Sequence, residues 1–192
     1  MSQNDRKLSV YLCMLLRHDP GAAGLDMDVH GWVAVDQLIR GVNENSRFRL
    51  DRSLLEAIVA DDSKGRYRFS EDGSRIKCCQ GHSVDWVIPE LTYKAPPEVL
   101  YHGTTTEAKE KILASGEISR MKRHAVHMQA DFAKAWQSAA RWHGKTPVVL
   151  VIDAAAMAAD GFTFGVSENG VWCTERVPRN YIRECLYEPE DR

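Results

Sequence analysis

Near the middle of the chain, Pro89 and the run Ala95-Pro96-Pro97 rule out a continuous helix. Proline fixes its own φ, has no amide donor, and pushes the residue before it out of the helical region. The segment therefore reads as a stiff connector. The chain's 192 residues are enough for two small lobes sharing an interface. The patterning differs across the connector, which predicts one lobe over residues 1–92 and a second over 97–192.

In the first half, Leu8, Tyr11, Leu12, Leu15 and Leu16 recur at helical spacing, and the helix should stop at Asp19-Pro20. Gly31-Trp32-Val33-Ala34 reads as a short strand, with Asp36 as N-cap of a second helix through Leu38 and Ile39. Leu54, Leu55, Ile58 and Val59 give a third helical face. Arg66-Tyr67-Arg68-Phe69, the turn at Asp72-Gly73, and Arg75-Ile76-Lys77-Cys78 form a hairpin signature. Three short helices followed by a hairpin predict a winged-helix lobe.

In the second half, Val99-Leu100-Tyr101 reads as a strand, and Thr104 with Glu107 as a capping box for a helix ending at Gly116. Ala125-Val126-His127-Met128 is a short strand, followed by an Ala-rich helix from about Asp131 to Trp142. Val148 to Ile152 is an apolar strand of buried type. Glu168-Asn169-Gly170 turns the chain into Val171-Trp172-Cys173. Several short strands with two intervening helices predict an α+β lobe, and the fold class of the whole is α+β.

Composition removes several classes. With 44% hydrophobic and 27% charged residues, the chain is ordinary for a globular protein. No apolar stretch approaches the ~20 residues that span a bilayer. The start, MSQNDRKLSV, lacks the apolar core of a secretory signal, so the expected location is cytoplasmic. The five cysteines contain no CxxC pair and read as reduced thiols. A net charge of −2 excludes uniform basicity as a reason to bind nucleic acid; a local cluster must do it. No coiled coil or sticky edge suggests more than a monomer.

Four groups of residues can carry chemistry. Arg17-His18 closes the first amphipathic helix. Cations there complement the helix dipole, and they also make a fork for phosphate, with bidentate donors from Arg and one more from His. Lys64, Arg66, Arg68, Arg75 and Lys77 lie on and around the hairpin, with Arg66 and Arg68 on one face. Such a strip either follows a phosphate backbone or guards an edge strand. Leu100-Tyr101-His102-Gly103-Thr104-Thr105 spans a strand-to-helix junction where a glycine admits a ligand to free N–H groups. Arg123, His124 and His127 include a His-x-x-His pair. No carboxylate or cysteine at ligand-like spacing completes a metal site, and residues three apart in a strand face opposite sides, so no metal is expected.

In this order and spacing the motifs resemble the RNA 2′-phosphotransferase (KptA-type) family. The opening matches are Leu15-Leu16-Arg17-His18-Asp19-Pro20, Gly24-Leu25 and Gly31-Trp32-Val33. Lys64-Gly65-Arg66-Tyr67, Glu71-Asp72-Gly73 and Gln80-Gly81-His82-Ser83 follow. The second half adds Leu100-Tyr101-His102-Gly103-Thr104, Met121-Lys122-Arg123, Val126-His127 and Asn169-Gly170-Val171-Trp172. The resemblance runs from about residue 8 to about residue 183.

It implies a winged-helix lobe that handles RNA and a lobe like ADP-ribosyltransferases that holds NAD. It further implies a two-step reaction. An internal RNA 2′-phosphate attacks the ribose carbon bearing nicotinamide. The neighbouring 2″-hydroxyl then attacks that phosphate, releasing ADP-ribose 1″,2″-cyclic phosphate and RNA with a plain 2′-hydroxyl. A tRNA splice junction would be one source of such RNA. The family's Arg-His-Arg-Arg tetrad maps onto Arg17, His18, Arg66 and Arg123, with Arg68 in reserve for Arg66. His102, His127 and Val171 match the positions that hold ribose, flank nicotinamide and, in protein-modifying enzymes, carry a glutamate. Gly103, Thr104, Ser167 and Asn169 carry over as NAD contacts. The chain departs from the family at Met128-Gln129 and at Phe164-Gly165, which bear on the NAD pocket. Two other readings share these residues: an ADP-ribosyltransferase that caps a nucleic-acid phosphate, and a non-catalytic winged-helix protein that senses NAD.

Overall fold

Helix α1 spans Gln3–Arg17 in the computed structural model, which describes residues 2–187. Ser2 and Asp5 bond reciprocally in a capping box, and Leu8, Leu12, Leu15 and Leu16 are buried along one face. His18 caps the C-terminus with its N–H on the Met14 carbonyl, and Pro20 opens a single 3₁₀ turn, Pro20–Ala23. Strand β1, Val33–Ala34, runs straight into helix α2, Val35–Asn45. The expected cap is corrected here: Ala34 occupies the N-cap without a side-chain bond, and Asp36 lies in the first turn. A capping side chain is less needed because the Val35 amide donates to the Ser74 carbonyl at 2.9 Å. Helix α3, Arg52–Ala60, is capped by Asp51.

Strands β2, Tyr67–Phe69, and β3, Arg75–Cys78, form the expected hairpin. Gly73 at its tip has φ 69°, a conformation that costs glycine nothing. Strand β1 pairs on the other edge of β3, so the sheet order is β1-β3-β2. The three helices bury Leu12, Leu16, Leu38, Leu55 and Ile58 against Ile76 of this sheet.

The chain divides into two units, Met1–Glu90 and Leu91–Arg192. The second opens with β4, Thr92–Tyr93, then β5, Val99–Thr105, and helix α4, Thr106–Ser115. It continues through β6, Glu117–Ser119, β7, Val126–Met128, and helix α5, Phe132–Ala140. Next come β8, Pro147–Asp153, helix α6, Ala154–Ala159, and β9, Gly165–Val166. Strands β10, Trp172–Thr174, β11, Arg176–Pro178, and β12, Ile182–Leu186, complete it. Three sheets result, ordered β4-β9-β10-β7, β12-β8-β5 and β11-β6. The buried apolar strand β8 lies at the centre of the second sheet.

Three expectations change. Thr105, not Thr104, caps α4, accepting from the Ala108 amide. Strand β5 is longer than its sequence suggests because all seven residues pair with β8, from Val99↔Asp153 to Thr105↔Pro147. Thr104 is therefore a buried strand residue. The unit also holds a third helix, α6, beyond the two expected. The whole is mixed α and β, as the patterning predicts.

Candidate functional site

In the first unit, Arg17 is the last residue of α1. Its side chain turns inward rather than serving only the helix dipole. Its Nε and Nη2 are buried with no hydrogen-bond partner among the described residues. Burial opposes the guanidinium charge, but the neighbouring Cys78 and Cys13 side chains outweigh it and hold the pKa above its ordinary value. Leaving donors of a buried cation unmet costs a few kcal/mol, so the arrangement calls for an anion.

Arg66 reaches the same cluster from the other side. It precedes β2, and its Nε donates to the buried Asp62 carboxylate at 2.8 Å. Burial opposes its charge, while the bond and charge of Asp62 raise its pKa. Arg17 and Arg66 have Cys13 and Tyr67 as common electrostatic neighbours. Cys13 donates to the Tyr67 hydroxyl at 3.0 Å, and that hydroxyl donates to the Ser9 carbonyl at 2.5 Å. A hydrogen bond with Cys78 pulls the Cys13 pKa below its ordinary value; burial opposes this, and Arg17 adds to the lowering.

Arg68 lies outside this cluster, exposed in β2 opposite Lys77. The basic strip read along the hairpin is thus not continuous. Lys77 is buried over the Trp32 ring and ion-paired with Glu90, while Arg75 pairs with Asp28 at 3.3 Å.

His18 is exposed, with Nδ1 2.9 Å from Ser83 Oγ. The Ser83 amide donates to the Arg17 carbonyl at 2.9 Å. Gly81, at φ 88°, lies under Arg17; a Cβ there would be 3.7 Å from its guanidinium carbon. Asp62, Cys13, Tyr67 and Ser83 are the residues the site needs beyond those named from sequence. The local signals for them are the i,i+4 spacings of Asp62 to Arg66 and of Cys13 to Arg17, and the motifs containing Tyr67 and Ser83.

In the second unit, His102 sits on β5 and donates from Nδ1 to the His127 carbonyl on β7 at 3.0 Å. A carbonyl only accepts, so the neutral ring carries its proton on Nδ1 and offers the Nε2 lone pair. Burial lowers the His102 pKa below 6.5; the His127 bond opposes this, and the charges of Arg123 and Arg141 reinforce it. The ring is therefore a neutral acceptor, suited to a ribose hydroxyl. Arg123 follows Met121, which holds φ 53°, a strained value for a non-glycine residue. The turn is closed by the Arg123 amide on the Arg120 carbonyl at 3.0 Å.

The remaining positions divide by role. Ser167 spends its hydroxyl on the β9–β10 turn, donating to Asn169 Oδ1 at 2.8 Å and accepting from the Val171 amide at 3.1 Å. Val171 is buried beside it. Gly103 lies within β5, where a Cβ would fall 2.0 Å from the Ala135 carbonyl oxygen, so α5 requires a glycine there whatever binds. Gly165 makes room for Leu91, whose Cβ would be 2.8 Å from an added Cβ; this accounts for the glycine in Phe164-Gly165. His124 precedes β7, so strand alternation does not relate it to His127. Among the described residues no group of three or more His, Cys, Asp or Glu side chains could hold a metal ion, and no helix is long and apolar enough to cross a membrane.

A family model described as RNA 2′-phosphotransferase, Tpt1 / KptA family, matches residues 3–176. The chain belongs to the RNA 2′-phosphotransferase family. A probable RNA 2′-phosphotransferase of Nostoc punctiforme is 44% identical over 178 residues, covering 93% of this chain and 96% of that protein. One from Pseudomonas fluorescens is 43% identical over 175 residues, covering 91% and 94%. One from Fusobacterium nucleatum is 39% identical over 180 residues, covering 94% and 98%. The family consists of transferases with NAD-dependent activity.

Proposed function

We propose that this chain moves an internal 2′-phosphate from RNA to NAD, yielding nicotinamide, ADP-ribose 1″,2″-cyclic phosphate and RNA with a 2′-hydroxyl. The observation that carries this reading is Arg17: a buried guanidinium with two unmet donors, beside His18 and near the anchored Arg66. That set recognises a dianionic phosphate and offsets the charge it gathers in transfer. The first unit, three helices and a hairpin, is read as a winged-helix RNA lobe. The second is read as an ADP-ribosyltransferase-like NAD lobe, and the expected location remains the cytoplasm.

NAD supplies an electrophilic ribose carbon with a good leaving group, and a hydroxyl next to it. His102 Nε2 accepts from a ribose hydroxyl, His127 flanks the nicotinamide side, and Gly103, Thr104, Ser167 and Asn169 line the nucleotide. Ser167 acts through the turn it ties. Arg123 is the second unit's cation for the phosphate chemistry. Val171 supplies no general base, and none is needed where the nucleophile is already an anion. Arg17 and Arg66 hold the phosphate, and His18 exchanges the proton when the RNA 2′-oxygen leaves. Arginine stays charged at any working pH.

Incubation with NAD and a short RNA carrying one internal 2′-phosphate tests the reading. The expected products are nicotinamide, cyclic-phosphorylated ADP-ribose and dephosphorylated RNA, resolved by mass. A stable RNA–ADP-ribose adduct as end product identifies a capping enzyme instead, and unconsumed NAD identifies a binding module.

His102 also links stability to pH. Its folded pKa lies below the unfolded value of 6.5. Between those values only the unfolded chain binds the proton, so stability falls as pH drops through about 6.5 and levels off below the folded pKa. His102→Gln should reduce that slope in thermal melts from pH 5 to pH 8; an unchanged slope removes His102 as its source.

A further inference from the structure

Ser83 lies in the loop after β3 and does two separable things. Its amide donates to the Arg17 carbonyl at 2.9 Å, meeting one of the carbonyls that the end of α1 leaves unpaired. Its hydroxyl meets His18 Nδ1 at 2.9 Å. The backbone bond ties the loop to the helix whatever the side chain. The hydroxyl bond goes to an exposed imidazole, where it adds little stability but orients the ring; the hydroxyl can accept from Nδ1–H or donate to a bare Nδ1.

Resting on the reaction proposed above, we infer that Ser83 is a positioning residue for His18, holding Nδ1–H so that Nε2 is the nitrogen that exchanges the proton with substrate. As a base, His18 begins neutral and must keep its hydrogen on Nδ1 for Nε2 to accept. As an acid, it begins as imidazolium, again with a hydrogen on Nδ1. Ser83 Oγ accepts from Nδ1–H in both states, so the bond persists while the proton passes between Nε2 and the 2″-hydroxyl or the departing RNA 2′-oxygen. The loop also lies against the neighbouring residue: a Cβ at Gly81 would rest in ordinary contact, 3.7 Å from the Arg17 guanidinium carbon, and the φ of 88° is what calls for glycine there. One segment therefore seats both members of Arg17-His18.

The test compares wild type, Ser83→Ala and Ser83→Thr with NAD and the 2′-phosphorylated RNA, resolving adduct formation from adduct breakdown. Ser83→Ala should slow breakdown about tenfold, the scale of one lost hydrogen bond. It should leave adduct formation unchanged, so the adduct accumulates. Threonine, which keeps the hydroxyl, should restore the rate. In a His18→Ala background, Ser83→Ala should have no further effect. Equal slowing of both steps, no rescue by threonine, or additivity with His18→Ala overturns the inference.

Nitrogen shifts of the His18 ring give a second measurement that needs no turnover. Wild type should show the Nδ1–H tautomer at high pH and Ser83→Ala a mixture; an Nε2–H wild type overturns the inference. Failure of the wild type to consume NAD would instead count against the reaction, with the tautomer still deciding the role of Ser83.

Discussion

Arg17→Met should abolish most turnover while leaving the melting temperature of the first unit unchanged or higher. Methionine keeps an unbranched stem of similar reach, so contacts with Gly81 and the Cys13–Tyr67 cluster are largely retained. It also removes two buried donors that have no partner among the described residues, each an unmet cost of about 1–3 kcal/mol. The thermal transition therefore tests whether the guanidinium is there for the fold. Activity should move the other way. Removing one preorganised donor from a transition-state oxyanion lowers rates by about 10²–10³-fold, and the deficit should appear mainly in breakdown of the adduct. A variant that melts well below wild type yet turns over normally would show Arg17 to be a structural cation.

Gly103→Ala should have the opposite signature. Its added Cβ would lie 2.0 Å from the Ala135 carbonyl oxygen and 2.9 Å from the carbonyl carbon. These are backbone atoms of α5, so no rotamer change relieves the clash; the helix must move off the sheet. Overpacking of this kind costs about 1–3 kcal/mol or more, which is about 5–20 °C in melting temperature for a unit of this size. Loss of NAD use should follow from loss of folded protein. Equal melting temperatures with weakened NAD binding would instead make Gly103 a ligand-contact position first and a packing position second.

Much of the fold was legible because its signals are local. The capping box at Ser2 lies outside the sequence expectations, yet the stop before Pro20, the hairpin at Asp72-Gly73 and the buried run of β8 all lie where the sequence puts them. What failed depends on partners distant in sequence. Thr104 looks like a cap until the pairing with β8 carries the strand one residue further. Asp36 looks like a cap until Ser74, nearly forty residues on, takes the Val35 amide. Helix α6 is an alanine-rich stretch with little periodicity to read, and β6 and β11 are stabilised as strands mainly by each other.

The site divides the same way. Arg17, His18 and Arg66 were named from a motif order, but what favours Arg66 over Arg68 is the Asp62 anchor and the shared neighbours Cys13 and Tyr67. The shared neighbours Cys13 and Tyr67 join α1 to the hairpin, and beyond the two i,i+4 spacings no pattern in the sequence announces that meeting.

The pairing of β4 has a practical consequence for anyone dividing the molecule. Thr92 and Tyr93 bond to Val166 and Gly165, and Leu91 fills the space over Gly165. A cut at the prolines, where the sequence invites one, would carry these three residues away with the wrong half. It would leave β9 as a bare sheet edge, open to pairing with the next molecule. A recombinant second half should therefore begin by Leu91, with the prolines inside it rather than in front of it.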